Sequence, residues 1–211
     1  MNRKLSTLVF VLLPVVFIFL TLISAQVFAE ETTYDYYFIQ DISDDGGTGV
    51  TGVCIIQCNV TEDSVEPVRK ELSDDGFEET TVAEIHNAGY LTPMEAFEQS
   101  KNRDGGETEH ETWSSWCDAY PYSGAKMVSA GSRTERATIG WVYTKGTLKG
   151  HNAQGFNYER TKTCKNRFGY AATVSFQVLY PGTTPPVTWT ESGHHEYPYN
   201  RIYYTQVSDT Y

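Results

Sequence analysis

Tyr170–Tyr180 reads YAATVSFQVLY. Tyr170, Ala172, Val174, Phe176, Val178 and Tyr180 fall on one parity, and Ala171, Thr173, Ser175, Gln177 and Leu179 on the other. Side chains of a strand point alternately to its two faces, so a period of two marks a strand with one buried face. Ile139, Trp141 and Tyr143 repeat the alternation within RATIGWVYTKGTL. Turn-forming residues punctuate these runs: KGHNAQG at 149–155, CKNRFG at 164–169, YPGTTPP at 180–186 and YPYN at 197–200. Strands at this spacing predict a mainly β protein, with an antiparallel sandwich or barrel-like domain over residues 113–211.

Upstream the character is mixed. TYDYYFIQDI at 33–42 is aromatic and strand-like, and acidic turns follow at SDDGGTG and LSDDGFEE. TTVAEIHNAGYLTPMEAFEQS predicts two short helices around a break at Asn87–Gly89. Thr92 is placed as an N-cap, with Pro93 at the first helical position and Glu95 at the third. KNRDGGETEHET, 101–112, has no apolar period and is expected to be a linker. The expected organisation is an export segment over 1–29, an acidic region with short helices over 30–112, and the β domain over 113–211.

The charge divides along the same line. Residues 30–112 hold 21 acidic and 4 basic side chains, a balance of −17; residues 113–211 hold 6 and 10, a balance of +4. Such a split suggests two regions, or two surfaces that attract one another. A net charge of −11 without a dense Lys/Arg stripe argues against a nucleic-acid partner.

Arg3 and Lys4 precede a long apolar run that ends at QVFA, with Val27 and Ala29 at the −3 and −1 positions of a small-residue cleavage site. This is the pattern of a secretory signal peptide, with a secreted chain starting near Glu30. The alternative is an uncleaved membrane anchor, since the run approaches spanning length. No later stretch is long and apolar enough, so the mature chain is not expected to span a membrane.

Export would place Cys54, Cys58, Cys117 and Cys164 where thiols oxidise, and an even count predicts disulfides. C-x3-C fits neither the thioredoxin-type redox spacing nor the usual zinc spacing. If TGVCIIQCNV, 51–60, is a strand, four residues span about 13 Å, beyond the roughly 7 Å that a bridge allows. Cys54 and Cys58 would then each reach for Cys117 or Cys164. If it is a turn, Cys54–Cys58 and Cys117–Cys164 is the solution. The strand, and the crossed pairing, is the preferred reading.

Other motifs are incomplete. Gly47, Gly49 and Gly52 match G-x-G-x-x-G, but VCIIQCNV follows where a nucleotide site needs a helix. Asp41, Ser43, Asp45 and Gly46 resemble the start of a calcium loop, with Asp41, Asp44 and Asp45 as candidate ligands of a weak ion site, yet Gly52 stands where a bidentate glutamate should close the loop. His194 and Glu196 share a strand face and offer two metal ligands, short of the three or four zinc takes. His86, His110 or His151 would have to complete the set. His195 points the other way. Neither a nucleophile elbow nor H-E-x-x-H is present, and no cofactor is expected. Asn59-Val60-Thr61 is a glycosylation sequon.

The chain carries 15 tyrosines and four tryptophans, gathered in TYDYYF, WSSWCDAYPY and HEYPYNRIYY. Trp113, Trp116 and Trp141 are expected to pack the core, leaving surplus tyrosines for a binding surface. Three functions fit this sequence. The leading one is an exported, non-catalytic protein, extracellular or envelope-associated, that binds a protein or glycan. A secreted toxin- or bacteriocin-like effector masked by its acidic region is the second. A metal-dependent hydrolase built on His194, His195 and Glu196 is the third.

Overall fold

A computed structural model describes residues 32–43, 47–103, 105–197 and 201–211. The export segment, Asp44 and Asp45 lie outside the described residues. Among the described residues nine strands run in order: β1 (Thr33–Asp41), β2 (Thr51–Thr61), β3 (Glu78–Thr80), β4 (Gly106–His110), β5 (Trp113–Tyr122), β6 (Ala125–His151), β7 (Asn157–Pro181), β8 (Thr188–Tyr197) and β9 (Arg201–Thr210). Among the described residues three α-helices intervene, α1 (Val65–Asp74), α2 (Val82–Asn87) and α3 (Pro93–Lys101), with a 3-10 turn at Glu62–Ser64 leading into α1. The protein is mainly β, and every strand pair is antiparallel.

The long hairpin β6–β7 decides the architecture. Near its chain ends β6 pairs with β7 from Ala125↔Pro181 to Glu135↔Ala171; beyond the bend it pairs again from Val142↔Asn166 to His151↔Asn157. Register slips between Glu135 and Gly140, and between Gly140 and Val142. Such bulges bend and twist a strand. At the same level Gly169 stands where a Cβ would lie 1.9 Å from the Asn59 carbonyl oxygen. CKNRFG is therefore a bend within β7, whereas KGHNAQG is the hairpin turn.

The bend folds one sheet into two layers. The first has the order β3-β1-β2-β7-β6-β5-β4. The second holds the far halves of β7 and β6, then β8 and β9. β3, β4 and β9 do not pair with one another, so no barrel closes. Residues 33–211 form one compact unit. The sheet also crosses the charge boundary at Thr112–Trp113, because acidic-half β2 is hydrogen-bonded to basic-half β7 along ten residue pairs.

Between the layers lies the main core: Cys54, Ile56, Val128, Ala130, Val174, Phe176 and Val178 from the first, Val142, Leu148, Cys164 and Trp189 from the second. Trp189 packs against Phe156, Tyr158 and Tyr180 at ring separations of 5.2–5.7 Å. α1 adds Val65, Val68 and Leu72 to this core, at the i, i+3, i+7 spacing of one helix face.

The first layer's outer face is covered by α2 and α3. Thr81 and Thr92 cap them in capping boxes with Glu84 and Glu95. Ile85 of α2 packs on Val53 and Ile55, and Phe97 of α3 on Trp116. Gln177 ties their connection to the sheet, accepting from Leu91 N at 2.9 Å and donating to Leu91 O at 2.7 Å.

Several expectations are corrected. The linker expected over 101–112 contains β4, an edge strand whose largely exposed residues supply no apolar period. Trp116 and Trp189 are the fully buried tryptophans, while Trp113 and Trp141 are partly exposed. TGVCIIQCNV, by contrast, is a strand as expected, which rules out the turn and a Cys54–Cys58 bridge. Among the described residues no disulfide is at bonding distance, and all four cysteines are buried. Cys54, Phe176, Ala130 and Cys117 form one row across four strands. Three steps of about 4.8 Å separate its ends, so Cys54 cannot bridge to Cys117 either. Among the described residues no helix is long and apolar enough to cross a membrane.

Candidate binding face

Along the far half of β6, positions 142, 144, 146, 148 and 150 are buried, and 143, 145, 147 and 149 are half-buried or exposed. β8 alternates likewise from Thr188 to Glu196. Unlike the first layer, this layer thus presents one face outward. Pairing arranges its side chains in rows. Lys165, Tyr143, Glu196 and Ile202 make one; Thr163, Lys145, His194 and Tyr204 the next; Thr161, Thr147, Ser192 and Gln206 the third.

Aromatic rings run continuously across the end of this face nearest the bend. Trp141 stacks on Tyr143 at 6.1 Å, Tyr143 meets His194 edge-on at 5.4 Å, and His194 stacks on Tyr204 at 4.7 Å. Tyr204 is 74% exposed and Ile202 48%. His194 Nε2 lies 2.9 Å from Glu196 Oε1, which sets a polar group beside the rings. The hydroxyls of Thr147 and Thr161 are 3.0 Å apart in the neighbouring strip.

Opposite parity carries different chemistry. Ser115, Ser132, Thr134, Thr144, Glu191 and His195 are all fully buried between the layers. Ser132 Oγ donates to Glu191 Oε1 at 2.8 Å, and Ser115 Oγ lies 2.9 Å from Ser132 Oγ and 2.6 Å from Thr205 Oγ1. His195 Nε2 lies 3.0 Å from Thr205 Oγ1, and its Nδ1 2.9 Å from Thr134 Oγ1. Gly193 makes room for this network: a Cβ there would come within 2.6 Å of Thr205, Ser132 and His195.

Burial pushes the Glu191 carboxyl up to about 8, against opposing hydrogen bonds from Ser132 and the Thr147 backbone. Burial, helped by neighbouring His194, pushes the His195 imidazole down to about 4. Near pH 7 the acid is protonated and the imidazole neutral, so the network holds no net charge. A serine nucleophile, a histidine and a carboxyl are all present. Yet Ser115 and Ser132 expose nothing to solvent, and Thr134, not Glu191, occupies the far nitrogen of His195. A triad needs its carboxylate there and its serine open to substrate. This arrangement instead links β5, β6, β8 and β9 through buried polar contacts.

Of the metal candidates, His194 and Glu196 meet at 2.9 Å, but no third ligand joins them among the described residues. His194 and Glu196 point outward and His195 inward. His86 lies in α2, its Nε2 2.8 Å from Glu95 Oε2 of α3, and His110 stacks on Trp113. Among the described residues no three His, Cys, Asp or Glu side chains are placed to hold a metal ion. Asp41 accepts from Ser43 N at 2.7 Å, and the Ser43 hydroxyl, followed by this backbone bond, holds its carboxyl below the usual range. Gly47, Gly49 and Gly52 lead into strand β2, where a nucleotide fingerprint needs a helix. Asn59 of the sequon, in β2, donates to Asp35 Oδ1 of β1 at 2.9 Å.

Neither the buried network nor the aromatic ladder was visible as a unit in the sequence. The polar inward parity Glu191, Gly193, His195 is its one local trace.

No family model matches this chain, and no curated protein matches it.

Proposed function

We propose that this is an exported, non-catalytic binding protein, extracellular or envelope-associated, whose second layer takes a glycan or protein partner on its outward face. The observation that carries the reading is the ladder Trp141–Tyr143–His194–Tyr204. Rings on a rigid strand surface offer large amphipathic contact area with little side-chain entropy to lose. Threonines, Lys145 and Glu196 beside them supply hydrogen-bond donors and acceptors in regular rows. A flat face of this kind suits an extended chain of sugars, whose C–H faces stack on rings while hydroxyls meet the polar rows. Arg3, Lys4, the apolar run and the Ala29 cleavage pattern support export.

The test is a glycan array and a pull-down with the purified protein, followed by titration of the best ligand. Tyr204→Ala and Tyr143→Ala should each weaken binding about tenfold, near 1.4 kcal/mol, without changing the melting temperature by more than a few degrees. No ligand from either screen, or equal binding by both variants, would remove the reading.

A further inference from the structure

We infer that Cys58 and Cys164 form the protein's single disulfide, a staple between the two layers, and that Cys54 and Cys117 remain thiols. The two sulfur atoms lie 2.9 Å apart in the core, 106 residues apart in sequence. That is less than 1 Å beyond a bond of about 2.05 Å. Their strands are fastened on either side of them. Cys58 pairs with Ala172 in the first layer and Cys164 with Thr144 in the second. Thr144 Oγ1 donates across the layers to Ala172 O at 2.8 Å, and lies 2.6 Å from Thr134 Oγ1. Bonding therefore requires a small side-chain adjustment between elements already in place. Cys54 is kept from Cys58 by strand length and from Cys117 by the width of three strand steps.

Both cysteines of the pair are fully buried, in the same core cluster as Val65, Val68 and Leu72 of α1. The bond forms while the layers are still open, by exchange with a disulfide oxidant, either a small-molecule disulfide or an oxidoreductase. Two thiols give up two electrons and two protons, one sulfur–sulfur bond forms, and the oxidant's own bond breaks to yield two thiols. Once the layers close, a thiolate attacker has no path to the bond. The bridge depends on pairing geometry and not on any ligand.

The test refolds the reduced, purified protein in a mixture of reduced and oxidised glutathione, then maps it after alkylation in denaturant. The expected map has one linked pair, Cys58–Cys164, and alkylated Cys54 and Cys117. Four alkylated cysteines, or a bridge containing Cys54 or Cys117, would overturn the assignment. Cys54→Ser/Cys117→Ser should keep the bridge and Cys164→Ser should lose it. Adding reductant to the folded double variant should leave the bridge intact until denaturant is present. After reduction its melting temperature should fall by about 10 °C, given the size of the closed loop. An unchanged melting temperature counts against the staple.

Discussion

Glu191 and His195 place two ionisable groups in a fully buried network, and their shifts oppose each other in a way that pH can read. Glu191 rises from 4.5 to about 8. Its contribution to stability is complete below pH 4.5 and is lost as pH climbs through 8, because the unfolded chain ionises first. His195 falls from 6.5 to about 4. Its contribution is complete above pH 6.5 and is lost as pH drops through 4. Between pH 4.5 and 6.5 the two slopes cancel. From pH 6.5 to 8 only Glu191 acts, and stability should fall by about 2 kcal/mol at 1.4 kcal/mol per unit. That lowers the melting temperature by about 4–8 °C. Glu191→Gln keeps an acceptor for Ser132 without an ionisable proton, so its melting temperature should stay level over the same range. Superimposable wild-type and variant curves between pH 6.5 and 8 would show that the carboxyl does not titrate as its burial demands.

Among the elements, those with local signals were legible and those set by long-range contact were not. YAATVSFQVLY announces β7 because period two needs only neighbouring residues, and Thr92-Pro93-x-Glu95 announces α3 because a cap lies within four residues. β4 escaped notice because an edge strand with little buried surface has no apolar alternation. The fold of β6–β7 was hidden because bends in two strands must coincide, at Gly140 and Gly169, far apart in sequence. Trp116 is buried as expected, but Trp113 and Trp141 are partly exposed, because parity tells which residues share a face and not how fully that face is covered. Gly169 gives the sharpest test of the bend. Gly169→Ala drives a Cβ against the Asn59 carbonyl and the Asn166 amide, and should cost about 3 kcal/mol as overpacking against backbone. Gly155→Ala, at φ +92° with nothing within 4 Å of the new methyl, should cost about 1 kcal/mol of backbone strain. Urea unfolding of both separates the two causes; equal costs would mean that the bend does not need its glycine. Gln177→Ala strips both partners from the Leu91 peptide under the helices, and should cost about 2–3 kcal/mol in the same assay.

At the scale of the whole molecule, charge and fold divide the chain differently. The sequence puts a boundary near Thr112, with −17 on one side and +4 on the other, but hydrogen bonds ignore it. β2 supplies ten pairs to β7, and Cys54, Ile56, Cys58 and Val60 belong to the same core as Trp189 and Leu148. Cutting at the boundary would turn β7 into a bare edge along half its length. It would also strip α2 and α3 from the first layer, leaving Trp116 and Gln177 without their cover. Unpaired edges of that length invite pairing between copies. A fragment of residues 113–211 should therefore fail to give a dispersed amide spectrum and should aggregate. Residues 30–211 should unfold in one transition, with far-ultraviolet dichroism and tryptophan fluorescence coincident. This outcome bears on how the acidic half can act: an effector freed by cleavage near Thr112 needs a basic half that is folded on its own. A well-dispersed spectrum from 113–211, or two separated transitions in the longer chain, would restore that possibility and show that the shared sheet is not what holds the halves together.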